Sequence, residues 1–387
     1  MTDRLKIAYL CDITPLDPNL YSGGNARIYQ ALQKHAGDVT ILGNGWHLAE
    51  PVRRLMHRLP EAVNLRLRWR MHLLLSRIIA RGVQAELRRG KFDVLFCAYS
   101  FQSLARLEPP KGMPIAFTSD ATPTTYKMSE VGQSFGSFLS ASRYLDPWVT
   151  AHEARIMRRA DLLLWPTEWL RGGAEQHLGV ARGKAHVVPW GANIDWVDAA
   201  DPGPALGPNK PLNLLFVGRD WFAKGGPMAH EVLKALLDRG IDARLTVIGT
   251  VPPEAHQHPA MQIIPQLDKS VSDEMSRFAT CFRNAHFLIN PSFESYGFAY
   301  CEAAAYGLPA LSLNVGGVPV RNGINGHMFD ADAPASDFAD CIARYVKTPS
   351  DHAKLRASSR AEYEAVLNWD AWGQRAATLL RGAMRDQ

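Results

Sequence analysis

Two glutamates eight residues apart straddle a glycine in the run Asn290-Pro-Ser-Phe-Glu294-Ser295-Tyr296-Gly297-Phe298-Ala299-Tyr-Cys-Glu302. The apolar residues before it, from His286, predict a buried strand that Pro291-Ser292 ends. Phe298 to Tyr306 holds no internal Gly or Pro, which predicts a short helix stopped by Gly307-Leu308-Pro309. A strand, a glycine loop and a helix N-terminus together make an anion site. The backbone N–H groups of residues 295–299 and the positive end of the helix dipole face one space. An acid placed there either stabilises the helix start or binds the hydroxyls of a ligand whose phosphates occupy the amides. A second cluster follows another strand, Leu214-Leu-Phe-Val-Gly218-Arg219-Asp-Trp-Phe-Ala-Lys224-Gly225-Gly226. Fixed cations in such a loop stabilise negative charge as it develops on a departing diphosphate. Arg grips phosphate oxygens in pairs, and Lys acts as a point charge. Two surface cations in a turn are the other reading. The order of residues is neither that of a Walker A loop nor that of a dinucleotide fingerprint.

Two further candidates lie near the N-terminus. Gly23-Gly24, after the first strand, lets a backbone approach a ligand closely. Asp120, in Thr118-Ser119-Asp120-Ala121-Thr122, ends a strand. It either accepts hydrogen bonds from a hydroxyl, acts as a base, or caps the following turn. His256-Gln-His258 lacks a third ligand, and Asp330-Ala-Asp332 falls in a late loop, so no metal is expected.

These residues need elements to hold them. Strand-like runs are expected at 6–11, 39–42, 94–98, 115–118, 162–165 and 185–188. A second set is expected at 212–218, 244–248, 261–264, 287–290 and 310–313. Helical segments separate many of them, and this alternation predicts an α/β protein with parallel sheets covered on both faces. The Pro-rich stretch 201–211 reads as a linker. Two Rossmann-like domains facing a cleft are therefore expected, with ligands beyond the carboxyl ends of the strands. The domains are 1–200 and 211–369.

With 387 residues, 47% hydrophobic and 21% charged, the chain has the make-up of a globular protein of two domains. A net charge of +5 is too mild to argue for nucleic acid. Neither a signal peptide nor a spanning run of about 18 apolar residues is visible, so a cytoplasmic protein is expected. The five scattered cysteines read as buried thiols of a reducing compartment. The segment 53–91 is strongly basic. In it Met71, Leu74, Leu75, Ile78 and Ile79 follow helical spacing, predicting an amphipathic helix. Such a helix either faces the core with a basic outer side, or lies on an anionic membrane or steers an anionic acceptor.

Taken together, the two glutamates, the Arg219/Lys224 loop, Gly307-Leu-Pro309 and Val315-Gly316-Gly317 resemble the retaining glycosyltransferases of family 4, with the GT-B fold. The resemblance covers nearly the whole chain. It implies that Glu294 lies near the donor sugar and that Glu302 binds the ribose hydroxyls. Arg219 and Lys224 would hold the diphosphate, and backbone around Gln266 and Leu267 would hold the base. It further implies that Gly23 and Gly24 lie near the donor phosphates and the acceptor, that Gly218 belongs to the donor site, and that Gly316 and Gly317 permit tight packing there. Relatives commonly have a His where this chain has Asp120; the Asp-Ala-Thr run is similar to a subgroup. The final helix, about 370–387, would cross back to the first domain. The implied activity is transfer of a sugar from a nucleotide sugar to a hydroxyl acceptor, in polysaccharide biosynthesis for example, without a metal. The same motifs would serve a nucleotide-sugar hydrolase or epimerase, or a silent sugar-nucleotide-binding partner of another transferase. The base, sugar, acceptor and oligomeric state stay open at this level.

Overall fold

The structure, a computed structural model, describes residues 4–12, 14–17, 20–43, 46–56, 58, 70–134, 143–195, 197, 203–207 and 210–385. Two compact units divide the chain. One contains residues 1–190 and 369–387, the other 191–368. Residues 201, 202, 208 and 209 of the expected linker lie outside the described residues, as do Glu61, Arg66 and Arg68 of the basic segment.

The first unit holds a parallel sheet of β1 (Leu5–Leu10), β2 (Gly37–Ile41), β3 (Val94–Ala98), β4 (Ile115–Thr118), β5 (Leu162–Trp165) and β6 (Ala185–Val187), in the order β2-β1-β3-β4-β5-β6. β3, β4 and β5 are buried along their whole length, as expected of strands covered on both faces. The order reverses between β1 and β3, so the loops after these two strands flank the switch point of the sheet.

The final helix, Trp369–Arg385, packs on the Gly24–His35 helix of this unit. Gly373 makes the close approach possible, because a Cβ there would stand 2.6 Å from the His35 ring and 3.1 Å from the Ala31 carbonyl oxygen. Asp370 pairs with His35 at 2.6 Å and with Lys34. Trp372 and Leu380 are fully buried, each worth about 1.5–3 kcal/mol of transfer free energy.

In the basic segment, the helix Ser76–Arg89 follows a helical turn over 70–74. Its buried face differs from the spacing read from sequence. His72, Leu73, Ser76, Ile79, Ala80, Val83 and Leu87 are buried, whereas Leu74 and Ile78 are exposed. The buried positions 72, 76, 79, 83 and 87 keep helical spacing through the turn at Leu75, so the buried face is turned by about one residue from the one read from Met71, Leu74 and Ile78. Among the described residues no helix is long and apolar enough to cross a membrane.

The second unit repeats the scheme with β7 (Leu212–Val217), β8 (Ala243–Ile248), β9 (Met261–Ile264), β10 (Phe287–Ile289), β11 (Ala310–Leu313) and β12 (Gly326–Phe329). All are parallel, in the order β12-β11-β10-β7-β8-β9. Here the order reverses between β7 and β10, the two strands that lead into the Arg219/Lys224 loop and the first glutamate. β12 is an edge strand absent from the sequence reading. The five cysteines form no disulfide, and all but Cys281 are buried.

Candidate functional site

In the second unit β7 ends at Val217, and the loop that follows from Gly218 is tied down residue by residue. Asp220 accepts at Oδ1 from Ala223 N at 2.8 Å and at its carbonyl from Lys224 N at 3.1 Å. Trp221 is buried and donates its indole N–H to His256 Nδ1 at 2.9 Å. His256 therefore anchors the loop. His258 Nδ1 accepts from Ala260 N at 3.1 Å. Among the described residues there is no group of three or more His, Cys, Asp or Glu arranged to hold a metal.

The glycines of this loop are there for space. At Gly218 a Cβ would meet Lys224 Cγ at 2.6 Å, so the lysine stem lies across the strand end. Gly225, at φ 78°, opens the Gly226–Asp238 helix and would press a Cβ to 2.1 Å from the Pro291 carbonyl oxygen. The loop after β7 is thus held against the loop after β10.

That second loop begins with Asn290, whose side-chain amide accepts from Val217 N at 3.2 Å and donates to Val217 O at 2.7 Å. The amide extends the sheet ladder one step beyond the strand ends. Tyr300 donates its hydroxyl to Asn290 O at 2.6 Å, and burial pushes its phenol far up. The Cys301 thiol is pushed up to about 12, mainly by burial, which leaves it protonated and inert at neutral pH. Glu294 forms a bridge with Gly316 and accepts from Gly317 N at its carbonyl at 3.0 Å. Its carboxylate accepts from Ser292 Oγ at 3.1 Å and pairs with the Lys224 ammonium.

The helix Phe298–Ala305 starts at Gly297, φ 93°, where a Cβ would lie 3.7 Å from Glu294 Cγ and 2.6 Å from the Tyr300 ring. The cation, the first glutamate and the positive end of the helix dipole therefore share one place beyond the β7 and β10 ends. An open depression of about 560 Å³, walled by Phe222, Pro227, Met228, Pro291 and Phe293, borders this cluster at Gly225 and Ser292.

Glu302, one turn further along the helix, is buried and pairs with Lys269 from the loop after β9. Gln266 and Leu267 lie in that same loop, Gln266 exposed. Lys269, the partner of Glu302, was not among the residues that sequence reasoning singled out. Nothing in an exposed lysine within Asp268-Lys269-Ser270 signals a partner more than thirty positions away. Arg219 is exposed, with no hydrogen bond or ion pair among the described residues.

In the first unit, Gly23 has φ 87° and Gly24 begins the helix that follows β1. Tyr21 and Ser22 also take positive φ, 52° and 53°, and so does Tyr99 after β3, at 61°. These three are the positive-φ non-glycine residues among those described, and all flank the switch point of this sheet. The Tyr21 and Tyr99 rings stack with centroids 4.1 Å apart, and the Tyr21 hydroxyl donates to Asp12 Oδ1 at 2.7 Å. Strain of this kind is about 1–3 kcal/mol per residue and is characteristic of functional loops.

Asp120 is half-buried after β4. The side chain that caps the next helix, Pro123–Met128, is that of Thr122, accepting from Thr125 N at 3.2 Å. Below this turn Glu153 accepts from Thr124 N at 3.1 Å, and burial pushes its carboxyl up to about 7.

Residues 211–348 match the family model for glycosyl transferases group 1, and residues 25–196 match that for glycosyltransferase family 4. The D-inositol 3-phosphate glycosyltransferase of Streptomyces scabiei is 30% identical over 256 residues, which is 60% of this chain and 56% of that protein. The match thus spans about half the length of that curated relative. Among solved structures, WaaG, a glycosyltransferase of lipopolysaccharide biosynthesis, superposes with a TM-score of 0.61 at 16% identity, over 97% of this chain and all of that one. Anabaena HepE in complex with UDP-glucose gives 0.61 at 12%, over 98% and 100%. At such identities the likeness speaks to fold, and the fold is GT-B.

Proposed function

We propose that this chain, which carries a glycosyltransferase family 4 match followed by a glycosyl transferases group 1 match in a GT-B fold, moves a sugar from a nucleoside diphosphate donor to a hydroxyl acceptor with retention of configuration. The observation that carries the reading is the convergence of Lys224, Glu294 and the Gly297 helix start beyond the β7 and β10 ends. Such a place suits a diphosphate and the sugar attached to it. Lys224 and Arg219 would grip the phosphates, and the helix dipole adds to them. Glu294 would face the sugar, Glu302 the ribose hydroxyls, and the backbone at Gln266 and Leu267 the base.

In the reaction the bond between the anomeric carbon and the leaving phosphate oxygen breaks, and its electron pair stays on the β-phosphate. The acceptor hydroxyl attacks from the same face, and its proton passes to the departing phosphate oxygen. No covalent enzyme intermediate is required. Lys224 must then be shared between Glu294 and the phosphates, so rate enhancement comes from positioning and preset charge, with no metal.

Asp120 would face a sugar or acceptor hydroxyl, and Gly23 and Gly24 would lie near the donor phosphates and the acceptor. The S. scabiei relative is named for a phosphorylated polyol, and an anionic acceptor would suit the exposed Arg54, Arg77 and Arg81. The same arginines, beside exposed Leu48, Leu55, Leu74 and Ile78, suit peripheral contact with an anionic membrane face.

The test is calorimetric titration with UDP, GDP and ADP and their sugars, UDP-glucose first, against Lys224→Ala and Glu302→Ala. One nucleotide should bind selectively and lose affinity in both variants. Once an acceptor is found, Arg219→Ala should lower turnover about 10²–10³-fold, the scale of one lost oxyanion donor. Failure of every nucleotide to bind at millimolar concentration would overturn the reading. Release of free sugar whether or not an acceptor is present would turn it into a hydrolase.

A further inference from the structure

The loop that follows β9 is anchored on both sides of Lys269. Asp268 N donates to Glu274 Oε2 at 2.5 Å, and Asp268 Oδ1 accepts from Ser270 N at 2.9 Å and from Ser270 Oγ at 2.7 Å. The Lys269 ammonium is then fixed from two directions, by Glu302 Oε1 and by the face of the Phe278 ring, whose centroid is 4.7 Å away. Glu302 itself is 3% exposed, so its carboxylate needs a partner in place. Its other oxygen, Oε2, accepts no hydrogen bond from a described residue. Lys269 thus occupies one lone-pair direction of the carboxylate and leaves a second one in a set orientation.

We propose that Lys269 is a positioning residue for ribose. It holds the Glu302 carboxylate so that Oε2 receives the vicinal hydroxyls of a nucleoside diphosphate, and it makes the site choose ribonucleotides over 2′-deoxyribonucleotides. The inference rests on the donor-site reading above and adds a residue and a selectivity to it. Because Lys269 lies three positions from Gln266, in the loop assigned to the base, a seated base and a correctly turned Glu302 reinforce one another. A carboxylate without Lys269 is free to rotate about its terminal bond, and a ribose diol then has no preferred acceptor direction.

The experiment is a calorimetric comparison of ribo and 2′-deoxyribo forms of the same diphosphate, UDP with 2′-deoxy-UDP and GDP with 2′-deoxy-GDP, on the full chain. Lys269→Met keeps the length of the stem and removes the charge; Lys269→Arg keeps the charge. The unsubstituted chain should prefer the ribo form by at least about tenfold, the scale of one hydrogen bond to a charged group. Lys269→Met should bring that ratio close to one, and Lys269→Arg should restore most of it. A merely structural lysine would weaken both forms alike and leave the ratio unchanged, and that result overturns the proposal. A chain that binds ribonucleotides and discriminates equally well as Lys269→Met overturns it while leaving the donor site standing. A chain that binds none of the four overturns both.

Discussion

Gly225→Ala tests whether the two loops of the second unit are held together by backbone contact. The residue sits at φ 78°, between Lys224 and the Gly226–Asp238 helix. A non-glycine residue in left-handed conformation costs about 1–2 kcal/mol. The added methyl would also stand 2.1 Å from the Pro291 carbonyl oxygen and 2.6 Å from its carbon. Neither atom belongs to a flexible side chain, so the loops must part, an overpacking cost of about 1–3 kcal/mol. The sum is about 2–5 kcal/mol.

Gly240 supplies the control. It lies past the other end of the same helix, has φ 73°, and has nothing within 4 Å of its would-be Cβ. Gly240→Ala should therefore cost only the conformational part, about 1–2 kcal/mol. Urea denaturation of both variants, followed by circular dichroism, measures the difference. Nucleotide titration gives a second readout. Pro291 precedes Ser292 and Glu294, so parting the loops draws Lys224 away from its carboxylate, and affinity should fall in Gly225→Ala but not in Gly240→Ala. Equal destabilisation of the two variants would refute the contact argument. Undiminished nucleotide affinity in Gly225→Ala would refute its link to the site.

Two other expectations follow from groups away from the loops. His286 and His352 are buried against each other, and both are pushed down to about 4, chiefly by burial. Unfolded imidazoles bind protons near 6.5, so the unfolded state takes up more protons as pH falls from about 6.5 to about 4. The stability these residues contribute is complete above that window and lost within it, by up to about 3 kcal/mol for each imidazole. Denaturation midpoints measured from pH 7 to 4 should fall, and His352→Gln should flatten the slope; an unchanged slope would count against the assignment. For the first unit, sedimentation with phosphatidylglycerol vesicles should pull down the chain, whereas phosphatidylcholine vesicles should not. Added salt, or Leu74→Asp with Ile78→Asp, should release it, and equal binding to both lipids would remove the basic face from the argument.

Most strands were readable to within a residue or two because they are short, mainly apolar runs, several of them closed by Gly, Pro or Asp. β12 escaped because Gly326-His-Met-Phe329 is an edge strand, mostly half-buried, with a polar residue in its middle. The helix over 76–89 was visible, but its buried face was not, since Leu74 and Ile78 are apolar yet exposed while His72 and Ser76 are polar yet buried. In the second unit the Gly-flanked Arg219/Lys224 loop and the paired glutamates were legible, because glycine spacing reports backbone closeness. The partnership of Glu302 with Lys269 was not, since an ion pair between distant residues has no local pattern. The left-handed Tyr21, Ser22 and Tyr99 were equally hidden: nothing in a tyrosine announces positive φ.

The closing helix belongs to the first unit although it is made after the second. On a ribosome, residues 191–368 emerge as an unbroken stretch that has every strand of its own sheet. Residues 1–190 emerge earlier, yet they wait with the Ala31–His35 side of a helix bare until Trp372, Gly373 and Leu380 arrive. Order of synthesis and order of completion are therefore reversed. A stop codon at Trp369 would release a chain whose later half can finish and whose earlier half cannot, so a nascent-chain series that gains protease resistance in residues 191–368 first is the expected signature.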